Sequence, residues 1–501
     1  MAETLISPGV LARENDQSQI RSLPVVAGAA IIGPTVKGKP NVPKLVTTIS
    51  EYEAEFGTTF LSGSADEFSF LTSISANNYF QSGGTSLLVT RIVTGSFTPA
   101  TSSFISSSVI PTGDNAFTLE TLSEGAILNS TSTETANGAL PSGTEDNFRW
   151  EIASPNKDTG TFSLLIRRGD DTTTQKSILE TFTNLSLDPR QSNYIERVIG
   201  NQVTNLIGAG TAEPYLQTTG SYPNASRYVR VKSVNLTTPD YFDNAGAAKL
   251  AFTSSIPIAS SGTFAGATGE TYIGANTLYE KIGTVSQGLT TDVYDDAINL
   301  LKNRDEFQYN VISVPGLNNA DHGSQIGLLI NNLENRGDAI AVVDMTRYGS
   351  TITVATSEAG ERDTSYAATY WPWLQVSEPN NGQIVWVPGS TLIPGVYANN
   401  DAVSETWFAP AGFNRGGLLG VVQAERKLSQ SQRDTLYTGK VNPIATFPGR
   451  GVVVFGQKTL QQRASALDRV NVRRLLISLK SFISQISDNL VFEQNTAATR
   501  N

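Results

Sequence analysis

The chain carries few groups able to do covalent chemistry. In 501 residues there is one histidine, His322, and no cysteine. A serine or threonine nucleophile needs a base to take its proton, and His322 is the only imidazole that could serve. It stands in the polar run Asn-Ala-Asp-His-Gly (319–323), at a predicted helix start. Without a second histidine or a thiolate, a transition-metal site lacks its usual nitrogen and sulfur ligands. No G-x-x-x-x-G-K-[ST] loop is present to cradle phosphate. Gly449-x-Gly451 lacks the third glycine and the preceding strand of a dinucleotide fold. Gly416-Gly417 reads as a chain corner. The carboxylate pairs Asp170-Asp171 and Asp295-Asp296 sit beside polar turns and are expected to be solvated, whereas an acid/base pair needs environments that differ. Trp371 and Trp373, on either side of Pro372, read as core anchors, with an interface role as the alternative. The sequence therefore predicts no catalytic residue, no cofactor and no metal. An α/β enzyme is kept only as a reading of a different class.

The totals point instead to association. With Lys+Arg 36 against Asp+Glu 46 the net charge is -10, which argues against nucleic acid as a partner. Charged residues are 16% of the chain, below the roughly 25% of ordinary soluble proteins. A surface that leans on Ser, Thr, Asn and Gly suits a protein that buries itself against copies. The charge is also uneven. Between Arg415 and Lys480 twelve basic residues face three acidic ones, a surplus of nine, which leaves the rest of the chain at −19. A basic end and an acidic body favour head-to-tail contact with copies or with an acidic partner, the alternative being a solvated basic face. The apolar run Leu23–Gly33 follows a polar arm and is too short to span a bilayer, so it reads as a buried strand. No membrane insertion is predicted, and synthesis in the cytosol is expected.

The elements alternate between strand and helix in two blocks. Residues 1–20 form a polar arm around Ser7, Pro8, Gly9 and Val10, whose Pro and Gly suit neither a central strand nor a helix. Residues 21–95 read as α/β, with strands at 25–32, 44–47 and 86–93 and helical stretches at 50–56 and 68–80. Residues 96–287 shift to Ser, Thr, Gly and Asn with short alternating runs, predicting a β-rich, surface-exposed insertion. Within it 147–152 and 161–168 pair across a turn. Residues 288–501 return to α/β, with helices near 292–302 and 322–336 and strands at 309–314 and 339–344. Val452–Phe455 is apolar and bounded by glycines, predicting a strand buried on both faces. Ser465 with Asp468 resembles a capping box, and Val472, Leu475, Leu476, Leu479, Ile483 and Ile486 recur as one apolar helix face. Arg469, Arg473, Arg474 and Lys480 fall on the other faces. The fold class is thus α+β / α/β multidomain, an α/β core with a β-rich inserted domain and an extended N-terminal arm.

Several uncommon words occur in a fixed order: WFAPAGFNRG (407–416), NPI (442–444), GVVVFGQKTL (451–460) and SALDRVNVRRL (465–475). Together they resemble the tail sheath proteins of contractile bacteriophages. Gly33-Pro34, Val42-Pro43, Ser50–Gly57, the FTNLSLDP run at 182–189, Ala367–Leu374 and Val387–Asp401 are similar to the same family. Gly389 departs from its usual proline, Asn399 from its arginine, and Pro394 stands where alanine is common, which is expected to alter a turn. The resemblance covers nearly all of the chain, but sheath proteins usually continue past Phe492-Glu493. The family's last α/β portion is therefore expected to be truncated here or supplied by another chain.

The resemblance implies a structural role without catalysis. It implies a homo-oligomer of stacked hexameric rings arranged helically around a tail tube protein, bounded by baseplate and tail terminator proteins. Such a sheath belongs to the virion tail, assembles in the host cytoplasm and contracts to drive the tube through the host envelope. A phage-derived injection system, tailocin or secretion-type, is the alternative within the same fold. Ser7, Pro8, Gly9 and Val10 would lend a strand to a neighbouring subunit. Arg469, Arg473, Arg474 and Lys480 would make charged contacts between subunits or toward the tube. Reversing Arg473 and Arg474 to glutamate is expected to impair assembly while leaving the monomer folded.

Overall fold

The protein is described here by a computed structural model covering residues 25–61, 67–107, 116–131, 133–269 and 285–487, with 492–494 and 496 beyond them. Its centre is an eight-stranded sheet. In chain order the strands are β1 (Val25–Gly33), β2 (Lys44–Val46), β3 (Leu87–Arg91), β4 (Phe307–Asn318), β5 (Ile340–Asp344), β6 (Ala367–Trp371), β7 (Val441–Phe447) and β8 (Gly451–Val454). Their spatial order is β2-β3-β1-β4-β5-β6-β7-β8. The six inner strands run parallel, and β2 and β8 close the edges antiparallel.

A parallel sheet needs cover on both faces, and the strand period of two supplies apolar side chains to each. In β1, Ala29 and Ile31 enter one core while Ala30 and Ile32 enter the other. In β5, Ile340 and Val342 share the first core, and Ala341 and Val343 the second. The first core is covered by helices α1 (Ile49–Phe56), α2 (Leu71–Gln81), α6 (Gly389–Val403) and α8 (Val470–Ser487). The second is covered by α3 (Val293–Leu300), α4 (Asn319–Arg336), α5 (Ile352–Gly360) and α7 (Gln430–Thr438). Polar side chains start these helices by accepting orphan N–H groups. Thr48 takes the Glu51 N–H at 3.1 Å and Asn318 the Asp321 N–H at 3.0 Å, while Ser429 and Gln432 complete a capping box on α7. Gly337, at φ 70°, ends α4 in the left-handed conformation that glycine adopts without strain.

Between β3 and β4 the chain builds a second sheet of seven antiparallel strands. In spatial order these are Ile178–Ser186, Thr161–Arg168, Phe148–Asn156, Ser260–Ala265, Pro99–Ser102, Phe117–Glu124 and Val229–Val234. It has its own core, in which Trp150 is buried and Phe117 stacks on Phe162 at 5.6 Å. Asp171, expected in solvent, is buried, because Arg167 and Arg149 both donate to its carboxylate within the sheet. The two sheets are tied at their junction. Lys37 meets Asp146 at 3.2 Å with both side chains buried, Lys39 pairs with Glu124, and the buried Arg91 donates to the Gly38 and Glu124 carbonyls at 2.5 and 2.8 Å.

Three local expectations are corrected. The run at 452–455 is the sheet's edge, and Phe455 is exposed, since only β7 pairs with β8 inside the main sheet. Pro394 lies inside α6 instead of in a turn. The following Gly395 explains how that helix is seated, because a Cβ there would stand 2.4 Å from Asn78 Oδ1 of α2. Ser465 caps only a short 3-10 turn, Ala466–Asp468, and α8 begins at Val470.

Candidate functional site

Ser7, Pro8, Gly9 and Val10 lie outside the described residues. The other four predicted contact residues lie on or next to α8, and the fold separates them. Arg473 and Arg474 are buried, at 6% and 5% exposure, and face inward with Val470 and Ile477. Arg473 stacks on the Tyr366 ring at 4.0 Å and donates to Ser365 Oγ. Burial lowers its pKa from the ordinary arginine value. Arg474 lies over Tyr397 at 4.8 Å and pairs with Asp401, both near the end of α6. The Tyr397 hydroxyl meets that of Tyr370 at 2.7 Å. These two arginines therefore fasten α8 to the sheet and to α6. Their planar cations find aromatic faces that make burial tolerable.

Arg469 and Lys480 are placed differently. Arg469 pairs with Asp468 at 3.2 Å and donates to the Tyr437 hydroxyl, with its side chain 42% exposed. Lys480 is exposed, and its Nζ lies beside Gly337 at the C-terminal end of α4, where a cation meets the negative end of the helix dipole. Of the apolar face expected to pack, Leu476, Leu479, Ile483 and Ile486 are exposed and Val472 and Leu475 half-buried; Phe482 is exposed beside them.

The far edge of the main sheet has a second surface that the sequence reading did not single out. The outer side of β8 is already occupied by the chain's own loop at 412–418. Gly412 N–H donates to Val454 O at 2.8 Å, Val454 N–H to Gly416 O at 2.8 Å, and Leu418 N–H to Val452 O at 3.4 Å. Beside it Phe413, Phe447 and Phe455 form a ring cluster with centroids 4.9–5.6 Å apart. The available signal was the word Phe447-Pro-Gly-Arg450, where an aromatic and an arginine flank a tight turn.

Candidates for acid/base chemistry are accounted for structurally. His322 is buried in α4, and its Nδ1 accepts the Asn318 N–H at 3.1 Å. Asp295 is half-buried, takes a bond from Gln325 at 3.3 Å, and has its pKa raised mainly by burial. Burial also pushes the Asp344 carboxyl up to about 7, although Ser390 donates to it from both its N–H and its hydroxyl. Asp344 thereby holds the start of α6, a positioning task. Among the described residues no group of three or more His, Asp or Glu is placed to hold a metal ion, and no helix is long and apolar enough to cross a membrane.

Residues 290–460, from α3 through β8, match the sequence family described as the phage tail sheath protein central domain. The chain is 42% identical over 137 residues to the tail sheath protein of Vibrio phage KVP40, covering 27% of this chain and 20% of that one. It is 44% identical over 115 residues to the tail sheath protein of Enterobacteria phage T4, covering 23% and 18%. The chain thus aligns with about a fifth of the length of these relatives. Among solved structures, the sheath tail protein of Listeria innocua has a similar fold. Its TM-score is 0.50 at 11% identity, over 93% of this chain and 79% of the other.

Proposed function

We propose that this chain, which carries the phage tail sheath central domain at residues 290–460, is a structural subunit of a contractile tail sheath. In this reading copies polymerise helically, as stacked six-membered rings, around a tail tube. They stay linked by exchanged strands while each subunit turns and slides, and contraction drives the tube through the host envelope. The extended sheath is a kinetically trapped packing, and release to a lower-energy one supplies the work without a nucleotide. The observation that carries the proposal is the match of residues 290–460, which takes in β4 to β8 and the aromatic edge described above.

Two parts of the surface are assigned within that reading. Residues 7–10 lend a strand to a neighbour, through main-chain bonds that tolerate reorientation. Arg469 and Lys480, whose charges reach solvent, serve contacts to neighbouring subunits or to the tube. The baseplate and tail terminator are the expected partners at the two ends of the polymer. The proposed place of the protein is the virion tail.

The test is co-expression with a tail tube protein from the same source, followed by negative-stain electron microscopy. Long sheathed tubes are expected from the full chain. A variant lacking residues 1–20 should give only short rings or monomers, with its circular dichroism unchanged. A full chain that remains monomeric with its tube protein would overturn the proposal.

A further inference from the structure

The edge at β8 cannot receive another strand, because the loop at 412–418 already occupies its outer side. Any partner at this edge must be held by side chains. Those present are unusual for a solvated surface. Phe413 and Phe455 are 46% and 39% exposed and pack with Phe447. Arg433 of α7 lies over Phe447 and Phe455 at 5.2 and 5.9 Å, and Arg450 of the β7–β8 turn lies over Phe413 at 5.3 Å. Arg433 donates to the Leu428 carbonyl at 3.0 Å. Among the described residues neither guanidinium is joined to a carboxylate by an ion pair.

Exposed aromatic rings beside arginine are the composition of interface hot spots. Stacking fixes the plane of a guanidinium and removes water from one side of it, while its N–H groups stay free to grip a carboxylate in the plane. The occupant follows from charge. This end of the chain has a surplus of nine positive charges and the remainder a deficit of nineteen, so the complementary surface lies on the body of another copy. Such a contact joins two different patches, and repeated unions of that type build rings or helical filaments.

We propose that Phe413, Phe447, Phe455, Arg433 and Arg450 form a docking surface that receives a carboxylate-bearing segment of a second copy of this chain. The proposal rests on the sheath reading and adds the surface that joins one subunit to the next by side chains alone.

The experiment uses the full chain with its tube protein and reads polymer yield by sedimentation. Arg450→Glu should lower the yield about tenfold or more, the effect of losing about 1.4 kcal/mol per contact, with no fall in melting temperature. Arg304→Glu, an equal charge change at an exposed site whose ion pair among the described residues is with the adjacent Asp305, should leave the yield unaltered. As an independent readout, the photo-crosslinker p-benzoylphenylalanine placed at position 413 should join polymerised subunits to an Asp- or Glu-containing peptide of another copy. If the wild type polymerises and Arg450→Glu does so equally, the docking surface is wrong and the sheath reading stands. Cross-links confined to the same chain or to the tube protein likewise reject it. A wild type that never polymerises removes the sheath reading and this surface together.

Discussion

Arg474 shows how one side chain can be mistaken for a contact residue. It is buried against Tyr397 and paired with Asp401, so its removal strips α8 of its tie to α6. Arg474→Ala should cost about 2–3 kcal/mol in urea denaturation, less than the about 3–5 kcal/mol of a fully buried pair because Asp401 keeps some access to water. Arg474→Glu should cost more, which reverses the expectation that the monomer tolerates the change. Lys480→Glu should stay within about 0.5 kcal/mol of wild type. Asp344 gives a second prediction. The folded carboxyl holds its proton up to about pH 7, whereas the unfolded chain releases it near the ordinary value of 3.8. The folded state therefore binds more protons between those values, and stability falls as pH rises through that window, then levels off. Asp344→Asn should flatten the melting temperature between pH 4 and pH 7, by an amount equivalent to about 2–4 kcal/mol. An unchanged slope would remove Asp344 as its source.

At the scale of elements, α8 turns Arg473 and Arg474 inward beside Val470 and Ile477 and leaves Leu476, Leu479, Phe482, Ile483 and Ile486 outward. From sequence alone the apolar recurrence at 472, 475, 476, 479, 483 and 486 was legible as a helix, but the side it buries was not. That side is decided by Tyr366, Asp401 and Tyr397, at least 73 residues away from their partners in sequence. Phe482 and Ile483, at 60% and 59% exposure, contribute little to folding. Phe482→Ser with Ile483→Ser should leave stability within about 0.5 kcal/mol, whereas Ile477→Ala should cost about 2–5 kcal/mol by opening a cavity. Equal losses in thermal melts would mean the outward face is packed in solution. The strands were easier to read. Ile340–Asp344 is buried throughout, as its apolar run implied. Pro394 misled because a proline inside a helix is costly in isolation, and the close seating of Gly395 on α2 is a tertiary fact that no local pattern encodes.

Over the whole molecule, the alternation of strand and helix in two separated blocks was enough to foresee an α/β core interrupted by a β-rich excursion. It could not supply the order of strands. Inside the sheet β1 lies beside β4, two strands that are 274 residues apart at Gly33 and Phe307 and meet only because the excursion brings the chain back. Nor could it reveal the ties at that return. Lys37 and Asp146 are buried together where the two sheets join, and removing one partner of such a pair costs about 3–5 kcal/mol. The outlying sheet is thereby clamped to the central one by buried side chains, and not by the connecting chain alone.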